Sequence, residues 1–307
     1  MMRLTMACTL AALAGTASAQ DVVPQGDERE ANLTLDIRGS YATETDFDDE
    51  GEYSVGRFGA GLTYAMPVWD ESTLTFGLDV VRSEYDFTDA VNLGGGGDPM
   101  DGGTTFGLNV AIAHPIDDEF SFVGGVGVLF SGEDGADFGE SAMAQGFAGV
   151  GWNVSEDLSL TLGLAVRDRL EDDARVIPLI GVEWQINDEF RLTTSGAGDV
   201  LAEPGGQGLG LVYSGYEDLD LVVGFSYSAN EFRLDEDGPI ADGVLRDDRF
   251  ILGVGVAWEP SENISATFGI GSVIYSEIET LTDNGDSIGD EEADPAGFIT
   301  GSVSILF

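Results

Sequence analysis

Apolar and polar residues alternate along most of this chain. Leu158-Ser-Leu-Thr-Leu-Gly-Leu164 and Ile264-Ser-Ala-Thr-Phe-Gly-Ile270 are two clear cases. A period of two places successive side chains on opposite faces of a strand. Six short acidic turns punctuate the pattern: Trp69-Asp-Glu-Ser, His114-Pro-Ile-Asp-Asp-Glu, Trp152-Asn-Val-Ser-Glu-Asp, Trp184-Gln-Ile-Asn-Asp-Glu, Tyr216-Glu-Asp and Trp258-Glu-Pro-Ser-Glu-Asn. The reading is an up-and-down meander. Rising strands fall near 31–45, 73–85, 120–131, 158–169, 190–197, 219–233 and 264–276. Falling strands fall near 53–68, 104–116, 141–154, 175–186, 207–215, 249–259 and 297–307. The weakest pair is 190–197 with 207–215, where Gly196, Gly198, Gly205, Gly206 and Gly208 dilute the alternation; without it the count falls to twelve.

All four tryptophans, Trp69, Trp152, Trp184 and Trp258, stand just before one of these turns. An aromatic residue at one fixed height, with short turns below it, marks a membrane interface. The opposite connections are longer and acidic, as in Asp48-Asp-Glu-Gly-Glu52 and Asp283 through Asp294. Short periplasmic turns and long outward loops are the rule for membrane barrels. Only a closed barrel of strands satisfies every backbone group in lipid without a helix. The expected fold is therefore all-β: a transmembrane, up-and-down antiparallel β-barrel of about fourteen strands, with twelve as the alternative.

Parity then separates the faces. Phe58, Ala60, Leu62, Tyr64, Met66 and Val68 point one way; Arg57, Gly59, Gly61, Thr63 and Ala65 point the other. An arginine at the lipid midplane would cost roughly 2–4 kcal/mol, so the charged set faces inward. The inner face is rich in Gly, Ser, Thr and Ala, which reads either as an uncrowded lumen or as relief of strain in a coiled sheet. The inward charges are Asp36, Arg38, Glu44, Arg57, Asp79, Arg167, Arg169, Glu183, Arg191, Arg249 and Glu259. Of these, Asp36, Arg38, Arg57, Asp79, Arg167, Arg169, Glu183 and Arg249 are the candidate pore-lining residues. Arg57, Arg167 and Arg169 lie nearest the outer ends and are the candidates for the mouth. Arginine facing carboxylate sets a transverse field, or simply neutralises buried charge.

The amino-terminal run has one early Arg3, a short apolar core and small residues at Ala17 and Ala19. It reads as a signal peptide over 1–19, followed by a polar leader over 20–30 and a barrel over 31–307. Cys8, the only cysteine, would leave with the peptide, so no disulfide is expected. The chain carries 57 acidic residues against 12 basic ones, all Arg, for a formal charge of −45. That balance argues against nucleic acid as a partner. No metal or other cofactor is expected. The loop Asp283-Asn-Gly-Asp-Ser-Ile-Gly-Asp-Glu-Glu292 is rich in oxygen, but its glycine and terminal glutamate do not fit an EF-hand. Gly94-Gly-Gly-Gly97 lacks the lysine and the helix of a phosphate loop. The only histidine, His114, falls on the lipid side near the periplasmic rim, which argues against a His-based hydrolase.

The last strand, Gly301-Ser-Val-Ser-Ile-Leu-Phe307, puts Ile299, Val303, Ile305 and Phe307 on one face. It resembles the terminal strand of bacterial outer-membrane barrels, which the barrel-assembly machinery reads. Phe307, Ile305 and Val303 are the expected assembly signal, although Ile305 stands where a second aromatic is commoner. Across the mature chain the sequence resembles porin-like and other outer-membrane barrel families of diderm bacteria. That resemblance implies an outer-membrane location, lipid as a partner and self-association as an option. The expected role is a narrow porin-like channel for small hydrophilic solutes or cations. Two alternatives are a closed structural or adhesive barrel with cation-binding loops, and uptake of hydrophobic compounds.

Overall fold

The computed structural model describes residues 31–194, 200–203, 206–216 and 218–307. The expected signal peptide and leader lie outside the described residues, as does the end of the 190–197 strand.

Alternation produces strands where it was strongest. They are β1 (Asn32–Asp46), β2 (Glu52–Val68), β3 (Ser72–Thr88), β4 (Gly102–Pro115), β5 (Phe120–Glu133), β6 (Ala142–Ser155), β7 (Leu158–Arg169) and β8 (Asp172–Gln185). There follow β9 (Phe190–Thr193), β10 (Gln207–Tyr216), β11 (Leu219–Arg233), β12 (Val244–Ser261), β13 (Ile264–Leu281), β14 (Ser287–Glu292) and β15 (Ala296–Leu306). Consecutive strands pair antiparallel from β1 to β13, β13 pairs with β15, and β15 closes the ring on β1. Fourteen strands make the wall. The fifteenth, β14, is a short return that pairs only with the outer end of β13. Among the described residues no helix is long and apolar enough to cross a membrane.

The faces follow the parity. Arg57, Thr63 and Ala65 of β2 are buried inside, while Phe58, Leu62 and Tyr64 are exposed outside. Leu162, Leu164, Val166, Phe225, Leu252, Val254, Phe268 and Ile270 extend the apolar outer belt around the ring. This is an outer-membrane β-barrel: a closed antiparallel wall whose apolar side faces out.

Two predicted outer loops are in part strand. Residues 231–248 contain the end of β11 and the start of β12, and 277–294 contain the end of β13 and all of β14. The local pattern hid this because β13 bulges opposite Phe250 and Ile251, which reverses the parity beyond Val273. Past the bulge the charges are cross-strand partners: Arg246 stands opposite Glu279 and donates to it at 3.1 Å.

The glycines of the inner face resolve into curvature. Gly210, Gly224, Gly253 and Gly271 stand directly opposite one another across β10, β11, β12 and β13. A Cβ on Gly253 would lie 2.7 Å from the Gly271 Cα and closer still to the Ile270 carbonyl oxygen. Neighbouring backbones are too close for any side chain, so the row is set by the bend of the wall.

Candidate functional site

Among the described residues the ladder on one side of β8 is short. β9 has only four residues, and β8 pairs with it only through Glu183, Trp184 and Gln185. One further contact, between Thr194 and Val182, ends the ladder. Above Val182, β8 has no ladder partner on that side among the described residues. Pro178 sits in this free stretch. The Gln185 N–H donates toward β7, so alternate residues 183, 181, 179 and 177 do the same. Val182 donates the other way, to the Thr194 hydroxyl, and Pro178 shares that direction. Its missing N–H therefore faces the break, where no ladder bond is lost.

Above the break the ring contracts. Arg233 at the top of β11 pairs in parallel with Gly132 of β5, closing an inner ring of β11, β12, β13, β15 and β1 to β5. Strands β6 to β8 wrap outside it. Glu231, Arg246, Tyr227 and Asp248 point outward by parity on β11 and β12, yet they meet the β7–β8 hairpin. Arg169 donates to Glu231 at 2.7 Å and the Leu170 N–H to Glu231 at 2.9 Å. Arg246 donates to the Leu170 carbonyl at 3.1 Å and to Asp172 at 3.3 Å. Arg175 bonds Tyr227 beside Asp248, and Arg233 bonds Glu171. Leu170, Met143 and Leu129 pack on Val244 and Leu281 beneath these pairs. The wall overlaps itself like a scroll, and arginines hold the seam.

The narrowed outer half is filled. Phe47, Tyr53, Val55, Tyr85, Phe87 and Phe232 form a buried apolar cluster with residues of the capping loop, Ala90, Leu93 and Met100. Thr280 donates to the Leu93 carbonyl at 2.7 Å and Asn92 to Glu291 at 2.6 Å, which fastens that loop over the end. Partial burial, then Asp101 and Asp86, raises the Asp98 carboxyl in the same loop above its ordinary pKa.

Beneath the cap lies a buried charge cluster. Asp247 accepts from Nε and Nη2 of Arg249, each at 2.7 Å, from the Tyr85 hydroxyl at 2.6 Å and from Arg57. Arg57 also donates to Glu203, which accepts from Ser228 at 2.7 Å and lies 3.5 Å from Arg249. Arg249 is 0% exposed. Such a group is held only where partners replace its hydration.

Glu203 belongs to no strand. Val200–Glu203 lies inside the barrel, with Val200 packed on Val212, Val222 and Ala257. A Cβ on Gly255 would collide with the Val200 side chain and lie 2.7 Å from the Phe268 carbonyl oxygen, so this glycine admits the segment. Ser226 donates to the Leu201 carbonyl at 2.9 Å.

The eight sequence-chosen lumen residues all stand on inward positions, but in separate groups. Arg57 and Arg249 share the buried cluster. Arg57 lies sealed below the cap, not at an open mouth. Arg38 donates to Asp79 at 2.9 Å in the periplasmic half, and Asp36 accepts from Ser304 on the neighbouring strand. Arg169 belongs to the seam; Arg167 reaches the Ala229 carbonyl at 3.4 Å. Glu183 accepts from Thr193. Glu44 and Glu259 are exposed at the rims. Trp69, Trp152, Trp184 and Trp258 are all exposed at the periplasmic ends of falling strands; Val303 faces outward on β15, and Phe307, just past its end, is exposed. Glu203 and Asp247 escaped the sequence reading because both fell in stretches read as loop. His114 is on the outer face as expected, but it hydrogen-bonds Ser72 at 2.8 Å through Nδ1. Ser72 is itself buried, which leaves its hydroxyl closed to a substrate.

No protein-family model matches the sequence, and no curated protein matches it. Among solved structures, the fold is similar to the Pseudomonas putida toluene transporter TodX, at 9% identity and a TM-score of 0.47, covering 92% of this chain and 91% of that one. It is similar to an outer membrane channel from Pseudomonas putida F1, at 11% identity and a TM-score of 0.46, covering 93% and 100%. A Pseudomonas aeruginosa FadL homologue aligns at 13% identity and a TM-score of 0.44, covering 92% and 90%. These likenesses concern architecture and fix no cargo.

Proposed function

We propose that this outer-membrane barrel passes small apolar molecules between the membrane and the periplasm through the break in its wall. The observation that carries the reading is the contraction of the ring. Among the described residues the upper half of β8 has no ladder partner beyond Val182, a break at mid-membrane height, while the axial path outward is filled. Val123, Ala165 and Leu179 form an apolar patch on the inner wall with Ala113, Phe147 and Ile177, close to that free edge. An apolar solute in the outer leaflet would meet this apolar inner surface on entering. Backbone without a ladder partner is tolerated at membrane depth where it lines a cavity, which suits a passage at this position.

A second reading, diffusion of small hydrophilic solutes or cations, draws on the small residues of the periplasmic half: Thr34, Gly61, Thr63, Thr75, Gly77, Gly125, Gly127, Thr161 and Thr300. The test compares uptake by vesicles carrying the refolded protein. Accelerated entry of a small aromatic hydrocarbon, without ohmic conductance in planar bilayers, supports the first reading. Steady cation-selective steps with no effect on the hydrocarbon would overturn it in favour of the second.

A further inference from the structure

The buried cluster has an unequal division of charge between the wall and the segment inside it. The wall contributes two guanidiniums, Arg57 from β2 and Arg249 from β12, and one carboxylate, Asp247 from β12. All three side chains are fully buried. Asp247 is already shared between both arginines and Tyr85. The remaining neighbours are neutral: Ser83 lies 3.3 Å from the Arg57 Nε, and Tyr53 lies under the Arg249 guanidinium at 5.5 Å. By itself the wall therefore encloses one unbalanced positive charge in a water-free place. The fourth charge, Glu203, comes from the short internal segment.

We propose that Val200–Glu203 is an internal strap closing the lumen, and that Glu203 is its lock. The strap adds no ladder to the sheet. Its other described fastenings are the Val200 contacts, the Ser226 bond to the Leu201 carbonyl and the Ser228 hydroxyl bond to Glu203. The ion pairs are the one strong, directional attachment, because a charge-assisted bond in a low dielectric outweighs a neutral one. Withdrawing the strap frees the space beside Gly255 and Gly269, where Val200 and Leu201 now sit. This proposal concerns closure of the lumen and holds for an apolar or a hydrophilic cargo alike.

The expected mature chain is cysteine-free, so Leu201→Cys, at a fully buried position, reports on the strap. In refolded barrels in lipid vesicles, maleimide labelling of Leu201→Cys is slow. Adding Glu203→Gln raises its rate at least tenfold and increases single-channel leak. The double variant Arg57→Gln with Glu203→Gln leaves Asp247 paired with Arg249, so buried charge balances again. It recovers thermal stability while labelling stays fast. Unchanged labelling on Glu203→Gln, or labelling that returns to the slow rate in the double variant, would overturn the lock and leave Glu203 as a charge balancer. If Glu203→Gln does not fold, the balanced double variant decides alone.

Discussion

Replacing Gly253 by Ala tests whether the glycine row is set by curvature. The added Cβ would stand 2.7 Å from the Gly271 Cα, against an ordinary contact of about 3.5–4.0 Å. Strands β12 and β13 must therefore separate by roughly 1 Å from a normal spacing of about 4.8 Å. Overpacking of this kind costs about 1–3 kcal/mol. Two loosened ladder bonds add about 0.5–1.5 kcal/mol each. The expected total is about 2–6 kcal/mol, a shift of roughly 1–3 M in a urea midpoint for a slope near 2 kcal/mol per M. Unfolding from lipid vesicles, followed by tryptophan fluorescence, measures it. Gly56→Ala is the matched control, since its Cβ would meet only the Tyr41 ring at an ordinary 3.7 Å. That change should be neutral, or stabilising by about 0.4–1 kcal/mol through the unfolded chain. Equal midpoints for the two variants would refute the curvature argument and restore the reading of these glycines as space for solute.

Three other outcomes are expected. Asp247→Asn leaves two buried arginines facing one carboxylate and should cost about 3–5 kcal/mol in the same unfolding assay; a loss under about 1 kcal/mol would mean that water reaches the cluster. Ile177→Pro removes an N–H aimed at β7, whereas Ile180→Pro removes one aimed at the break. The first should therefore be less stable by about 1–3 kcal/mol, and the reverse order would place a ladder partner in the break. Arg246→Gln unfastens the seam at Leu170 and Asp172, so cleavage after Glu171 by a glutamate-specific protease should speed up several-fold while the barrel stays folded. Unchanged cleavage would show that the apolar contacts of Leu170 suffice.

Period-two alternation was enough to determine the wall. A lipid-facing side chain and a lumen-facing one differ by several kcal/mol when charged, so each strand carries its own orientation in its residues. The tryptophans mark one membrane face in the same local way, and the acidic turns set the meander. Two local signals also pointed to the break. The glycines from Gly196 to Gly208 weakened one hairpin, and Pro178 in the middle of β8 is a residue confined to free edges. The first was legible as irregularity; the second gained meaning only once β8 had a known neighbour on one side and, among the described residues, none on the other above Val182.

What the tertiary structure decided involves partners far apart in sequence. Nothing near Arg233 announces Gly132, and nothing near Glu203 announces Arg57 or Arg249. The contraction of the ring, the scrolled seam and the filled outer half all depend on such pairs. The reason is physical. Alternation reports which side of the sheet a residue faces, whereas the partner of a buried charge is chosen by three-dimensional proximity in a low dielectric. Arg57 reads as inward in either case; whether it lines water or closes a salt bridge is settled by the strap that reaches it.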